Sequence, residues 1–308
     1  MPTLPVSRFT IELIAPSGHA EDIVFERAVQ FLRAQGHIVR GTHIGARRYQ
    51  RFAGTDQERL NEINAVANLP ADTDIVMAVR GRYGLSRLLP GIDFKRLAQR
   101  INETGLKLLG HSDFTALQAG LLAHGAHSYS GPMLAPDFGV IAPNQVMLDH
   151  FHHAMAGQAT DCCFHDVVAP SNITCQVSGP LWGGNLAMLC SLLGTPYFPD
   201  IDQGILVIED IHESPYRIER MILQLYQAGI LARQQALVLG DFSLKQSEDA
   251  QDYDFAMMVQ YLRAVLPLPV VTGLPYGHIA NKLTLPLGRQ VHLQVQGGNT
   301  RLHWHEVA

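Results

Sequence analysis

A chain of 308 residues is longer than most single hydrophobic cores support, which predicts two domains. Hydrophobic content of 47% and charged content of 17% are those of an ordinary globular protein. A net charge of −5 without any Lys/Arg-rich run leaves no electrostatic footprint for nucleic acid. No stretch approaches the roughly 18 apolar residues of a membrane span. The N-terminus lacks a basic segment followed by a long apolar run, so no signal peptide is expected. Cys162, Cys163, Cys175 and Cys190 have neither disulfide-framework nor zinc spacing and read as reduced, buried, cytoplasmic thiols.

In chain order, residues 11–15 read as a strand ending in the turn Pro16-Ser17-Gly18, and 21–35 as a helix capped by Gly36. Residues 37–39 begin a second strand. Thr55 and Glu58 form a capping box before the next helix. Residues 74–80 are a third strand running into Gly81-Arg82-Tyr83-Gly84, and helices are expected at 85–89 and 94–101. The fourth strand is 106–109. Strands alternating with helices predict a doubly wound parallel sheet, whose ligands sit beyond the carboxyl ends of the strands. Gly18, the 81–84 loop and Ser112 all fall there.

Beyond Ser130-Gly-Pro-Met133 the pattern loosens into a connection at 136–143 and a linking helix at 145–155. Short apolar runs follow at 173–177, 204–209, 236–242, 269–273, 283–287, 291–295 and 302–307, interrupted by helices at 216–231 and 253–265. This predicts a nucleophile-bearing domain at 1–135, a linker at 136–170 and a strand-rich α/β domain at 171–308.

The stretch 106–117, LKLLGHSDFTAL, organises the first domain. An apolar strand ends in Gly110, and an apolar-periodic segment resumes at Phe114. Ser112 therefore sits on a tight strand-to-helix turn, a geometry that presents a nucleophile beside the N–H groups of the helix start. Taken alone, the same residues read more readily as a plain helix cap, with Ser112 or Asp113 capping.

A serine nucleophile needs a base and an orienting acceptor. The apolar run 204–208 ends in Glu209-Asp210, an acidic pair that is costly unless used or solvated. The run 269–273 leads to Pro275-Tyr-Gly-His278, a histidine held between turn residues. Among other histidines, His150, His152 and His153 lack a carboxylate partner and read as a solvated helix face, and His303 and His305 alternate on one strand face. His111 is expected to point away from its neighbour Ser112. Leu181-Trp-Gly-Gly-Asn-Leu186 lacks phosphate-loop spacing, as does the 81–84 loop; Trp182 reads as a core residue beside a turn.

These pieces resemble the LD-carboxypeptidase family of serine peptidases. The matching stretches are Ala15-Pro-Ser-Gly18, Phe52-Ala-Gly-Thr55 with Arg59, Arg80-Gly-Arg-Tyr-Gly84, Gly110-His-Ser-Asp-Phe114, Ser130-Gly-Pro-Met133, Leu181-Trp-Gly-Gly-Asn-Leu186, Val207-Ile-Glu-Asp210 with Arg217, and Gly277-His278 followed by Leu285-Pro-Leu-Gly288. They occur in the family's order over nearly the whole chain. The resemblance implies a flavodoxin/Rossmann-like N-terminal sheet and a C-terminal swivelling β/β/α-like domain. It implies a Ser112–Glu209–His278 triad, with Glu209 preferred over Asp210 and Glu213 because it closes the strand. Backbone N–H groups of Gly81 or Arg82, and of Asp113, would form the oxyanion hole. The family shows adjacent glycines where this chain has Gly81-Arg82, so a positive φ there would strain the arginine. Arg80 or Arg217 would meet a terminal carboxylate, and Trp182 and Asn185 are carried over as substrate-binding residues.

The resemblance further implies no cofactor and no metal. It implies a murein tetrapeptide or anhydromuropeptide substrate cut between meso-diaminopimelate and D-alanine, and a cytoplasmic homodimer serving peptidoglycan recycling. Two other readings stand beside it. Microcin C immunity peptidases use the same triad on a peptidyl-nucleotide amide; the compactness of 209–230 and the Gly-His-Ser-Asp-Phe match favour the recycling enzyme. A non-catalytic Rossmann-like binding protein would use Ser112 only as a cap.

Overall fold

A computed structural model describes residues 7–169, 173–244 and 253–305. In the first half, strands β1 (Thr10–Ile14), β2 (Ile38–Arg40), β3 (Ile75–Ala78), β4 (Lys107–Gly110) and β5 (Ser128–Ser130) alternate with helices α1 (Asp22–Ala34), α2 (Asp56–Ala65), α3 (Phe94–Thr104) and α4 (Thr115–Ala123). The strands run parallel in the order β5-β4-β3-β1-β2, a doubly wound sheet. Alternation along each strand feeds two cores. Ile11, Leu13 and Met77 face Phe25, Val29 and Leu32 of α1. Ile14, Val76 and Leu108 face Ile63, Leu97 and Leu117 of the other three helices. The capping box of Thr55 and Glu58 forms at the start of α2.

Helix α5 (Gln145–Met155) closes the first core with Met147 and Phe151. The chain then enters a second sheet through β6 (Thr160–His165), β7 (Thr174–Asn185), α6 (Leu186–Leu192), β8 (Ile205–Glu209), α7 (Pro215–Gln227), β9 (Ala236–Leu239), α8 (Phe255–Val265) and β10 (Val270–Val271). It finishes with β11 (Leu285–Leu287), β12 (Gln290–Gln296) and β13 (Asn299–Trp304). The second sheet has the order β10-β9-β8-β7-β12-β13-β6. Its β7–β10 part is parallel and packs Leu206, Ile208 and Leu237 against α6, α7 and α8. Its β7-β12-β13-β6 part is antiparallel. Strand β7 serves both, pairing β12 up to Pro180 and β8 from Leu181 onward.

Several elements differ from the sequence expectation. The helix expected at 85–89 is two short 3₁₀ turns, Leu85–Arg87 and Leu89–Gly91. The run 283–287, expected in the second sheet, supplies β11, which joins the first sheet antiparallel to β5. Strands β5 and β6 and helix α6 were not expected. The glycine-rich stretch at 181–186 is the end of β7 rather than a turn. The strand expected at 302–307 reaches Trp304, and its last two residues lie outside the described ones. Cys162 is buried, but Cys163 alternates to the opposite face and is exposed. His152 is not a freely solvated residue, since its ring stacks on His37. Among the described residues no helix is long and apolar enough to cross a membrane.

Candidate active site

At the end of β4 the backbone turns sharply into a 3₁₀ turn, Ser112–Phe114, and then α4. Ser112 sits in the left-handed region with φ 63°. A non-glycine residue there carries a cost of about 1–2 kcal/mol, which a cap would not require. Gly81 lies directly against it: a Cβ on Gly81 would sit 2.7 Å from Ser112 Cβ and 2.8 Å from its Oγ. Only glycine permits that approach. The N–H groups of Gly81, Arg82 and Asp113 find no protein acceptor among the described residues.

The Asp113 side chain holds this geometry from behind. Its buried carboxylate accepts from Ser17 Oγ at 2.5 Å and from the Leu85 N–H at 2.9 Å. Loops after β1, β3 and β4 are thereby tied together. Burial raises the Asp113 carboxyl above its ordinary value, and these hydrogen bonds pull against that rise. Arg59, fully buried, reinforces the clamp by donating to the carbonyls of Pro16 (2.5 Å) and Gly84 (3.2 Å).

The second half brings its groups to the same place. Glu209, the last residue of β8, is completely buried, and its Oε2 lies 2.6 Å from His278 Nδ1. Asn185 Nδ2 donates to Glu209 Oε1 at 3.2 Å. Gly277 allows the imidazole to close on the carboxylate: its φ is 124°, and a Cβ would meet Glu209 Cβ at 3.1 Å. Burial lowers the His278 pKa, but the hydrogen bond to Glu209 and its charge outweigh it, so the net direction is upward. Tyr276, two residues earlier, is buried with its hydroxyl 2.6 Å from Ser130 Oγ at the end of β5. This bond fastens the histidine loop to the first sheet.

Ser112 and His278 line one cavity of about 440 Å³, together with Arg80, Gly81 and Arg82. No direct hydrogen bond joins the serine to the histidine, as is common before substrate tightens such a pair. A larger cavity, about 840 Å³, opens at the other end of the first sheet beside Lys107, His127 and Arg289. Its wall has no serine, cysteine or carboxylate side chain, whereas the smaller one is lined by Ser112, Asp137 and His278.

Comparison with known proteins gives the family. The sequence model of the LD-carboxypeptidase N-terminal domain matches residues 11–131, and that of the C-terminal domain matches 178–293. The murein tetrapeptide carboxypeptidase of Pseudomonas aeruginosa is 31% identical over 96% of this chain and 94% of its own. The chain belongs to the LD-carboxypeptidase family. The crystal structure of muramoyltetrapeptide carboxypeptidase from Oxalobacter formigenes is 43% identical, with a TM-score of 0.89 over 97% of this chain and 99% of that one. The microcin C7 self-immunity protein of Escherichia coli is 27% identical over 89% of this chain and 86% of its own. As a member of this family the chain is a serine carboxypeptidase, which sets aside the reading as a non-catalytic binding protein.

Within the LD-carboxypeptidase frame, the carried-over substrate residues need revision. Arg80 lines the cavity. Arg217 lies on α7, half-exposed and bound to Glu213 at 2.6 Å, outside the cavity wall. Trp182 is buried in the second core, its indole N–H donating to Gln234 at 2.8 Å, and cannot reach a ligand. Asn185 is also buried; it orients Glu209 and caps α6 through Met188 N–H rather than facing the cavity. Asp210 is used in the fold, accepting from the Ala187 and Ile211 N–H groups.

Arg82 has φ 83°, so the position that holds glycine in the family does require a left-handed backbone here. His111 turns its ring to Gly131 and His278 rather than to Ser112. It lines the cavity, its ring edge-on to His278 with centroids 5.0 Å apart, and Nδ1–H donates to the Gly131 carbonyl at 2.8 Å. Burial, then the charge of Lys282, push its pKa well below the ordinary value, so it is a neutral wall. The buried ion pair of Lys282 and Asp137 also borders the cavity. Sequence reasoning missed both residues, since neither lies in a stretch with its own signal.

Proposed function

We propose that this LD-carboxypeptidase removes the terminal D-alanine from murein tetrapeptides, cutting the bond at the L-centre of meso-diaminopimelate through an acyl-enzyme on Ser112. The observation that supports this best is a strained serine on the same cavity as an imidazole held by a buried carboxylate. His278 takes the Ser112 proton as Oγ attacks the scissile carbonyl. Glu209 fixes the ring and stabilises the imidazolium. The Asp113 N–H and that of Gly81 or Arg82 face the oxyanion, each such donor being worth about 10²–10³ in rate. His278 then protonates the leaving amine of D-alanine. Water, deprotonated by His278, attacks the ester and frees the tripeptide and Ser112. Arg80 takes the terminal carboxylate.

The murein substrate is supported by the Pseudomonas murein tetrapeptide carboxypeptidase and the Oxalobacter muramoyltetrapeptide carboxypeptidase, to which the chain is similar. The family resemblance supports a cytoplasmic homodimer in peptidoglycan recycling, which fractionation and sedimentation would test. A second reading, hydrolysis of a peptidyl-nucleotide amide, rests on the Escherichia coli relative. Both substrates are to be offered to the same preparation. Release of D-alanine from L-Ala-γ-D-Glu-meso-Dap-D-Ala at a kcat/KM well above amide hydrolysis is expected. The reverse order would replace the murein substrate with the nucleotide one.

A further inference from the structure

The outer face of the antiparallel part of the second sheet carries a cluster that the reaction leaves unused. His292 on β12 is the direct cross-strand partner of His303 on β13. Their rings stack with centroids 4.8 Å apart. His305 follows His303 by two residues and returns to the same side, with its ring 5.8 Å from each of the others. The alternation that sends Val291, Leu293 and Leu302 into the core obliges the histidines to face out together. One nitrogen from each of the three lies within 4.8 Å of the other two.

We infer that His292, His303 and His305 form a binding site for one divalent transition-metal ion, of the zinc class. Three imidazoles converging from adjacent strands suit Zn²⁺, Ni²⁺ or Cu²⁺, and not the oxygen-seeking Mg²⁺ or Ca²⁺. Tetrahedral bonds of about 2.0 Å place donor nitrogens roughly 3.3 Å apart. Small side-chain rotations on a partly exposed face close the rest. A water or an incoming ligand takes the fourth position.

Two observations beyond proximity support the site. Ser178 on β7, the register partner of His292, has its Oγ 2.6 Å from His292 Nδ1. That contact fixes the ring and turns Nε2 to the ligand role, as outer hydrogen bonds do around metal-binding histidines. His303 Nδ1 is buried and has no hydrogen-bond partner among the described residues. Such an atom calls for an explanation, and a bound ion is one. The nearby carboxylate of Asp161, opposite His303 on β6, is held by Arg301 Nε at 2.8 Å and Nη2 at 2.5 Å. That pair is neutral overall, so its cation does not repel an incoming ion. None of the three histidines lines the Ser112 cavity. The ion therefore ties β13 to β12 and takes no part in the acyl transfer.

The test uses full-length, tag-free protein stripped with a chelator and titrated with Co²⁺, then Zn²⁺. The expected result is one equivalent of Co²⁺ with the visible absorption of a tetrahedral site, displaced by one equivalent of Zn²⁺. His303→Gln and His305→Gln are each expected to weaken Zn²⁺ binding by tenfold or more, with carboxypeptidase turnover unchanged. Zn²⁺ should also raise the melting temperature of the wild type and not of the variants. No saturable one-equivalent binding, or undiminished affinity in His305→Gln, would overturn the site. His305 is exposed at the strand end, so its variant reports even if His303→Gln fails to fold.

Discussion

Glu209 Oε2 and His278 Nδ1 lie 2.6 Å apart, one on a wholly buried strand end and the other on the rim of the cavity. Burial alone would lower the histidine's pKa; the carboxylate reverses the sign and holds it above 6.5. In the proposed acyl transfer His278 is the base and must be neutral to accept the Ser112 proton. Turnover is therefore expected to fall as pH drops through a value above 6.5, where His278 becomes protonated. In Glu209→Gln the raising influence is gone, so the acid limb moves to lower pH while kcat falls by about 10³–10⁴. A pH profile of kcat/KM checks both. The same pair contributes stability that is fully present below the unfolded value and is lost as pH rises through the raised one.

Asp113 ties the serine turn to Ser17 and Leu85. Asp113→Ala strands both donors in a buried setting, at an expected cost of about 1.5–3 kcal/mol. If the same bonds aim the proposed oxyanion donors, kcat falls while KM changes little. Denaturation and steady-state kinetics on one preparation separate the two effects.

Arg80 and Arg217 compete for the terminal carboxylate in the sequence reading. Arg80 is on the cavity wall and partly desolvated, whereas Arg217 is already paired with Glu213. Arg80→Met is expected to raise KM roughly tenfold to a hundredfold, matching the loss of a charge-assisted hydrogen bond of about 1.5–3 kcal/mol. Arg217→Met should leave KM within twofold.

Arg82 adopts φ 83° beside the serine. Arg82→Gly removes a strain of about 1–2 kcal/mol but adds the chain entropy of glycine, about 0.5–1 kcal/mol. Stability should stay level or rise slightly, with turnover retained because the donor at this position is backbone. A loss beyond tenfold in kcat/KM would mean that the guanidinium itself holds substrate.

Much of the first sheet was legible because its strands are apolar runs separated by capped, periodic helices. The serine turn was legible for the same reason: Gly110, Ser112 and Phe114 mark where the strand stops and the helix begins. What stayed hidden depends on register and distant pairing. Strand β11 is three residues long, and only its pairing with β5 shows that it returns to the first sheet. The residues themselves read Trp182 as core, and only the family resemblance carried it over as a ligand residue; its glycines continue β7 and the indole enters the core. His292 and His303 are 11 positions apart in sequence and meet only through the antiparallel pairing of β12 and β13.

The most direct test of the account is D-alanine release from L-Ala-γ-D-Glu-meso-Dap-D-Ala by wild type and by Ser112→Ala, each with and without EDTA. Wild-type turnover should be unaffected by EDTA, even as the chelator strips any ion from the His292 cluster. Ser112→Ala should fall by at least 10³-fold while remaining folded. Turnover that survives in Ser112→Ala, or that EDTA abolishes in the wild type, would contradict a serine acyl-enzyme at this site.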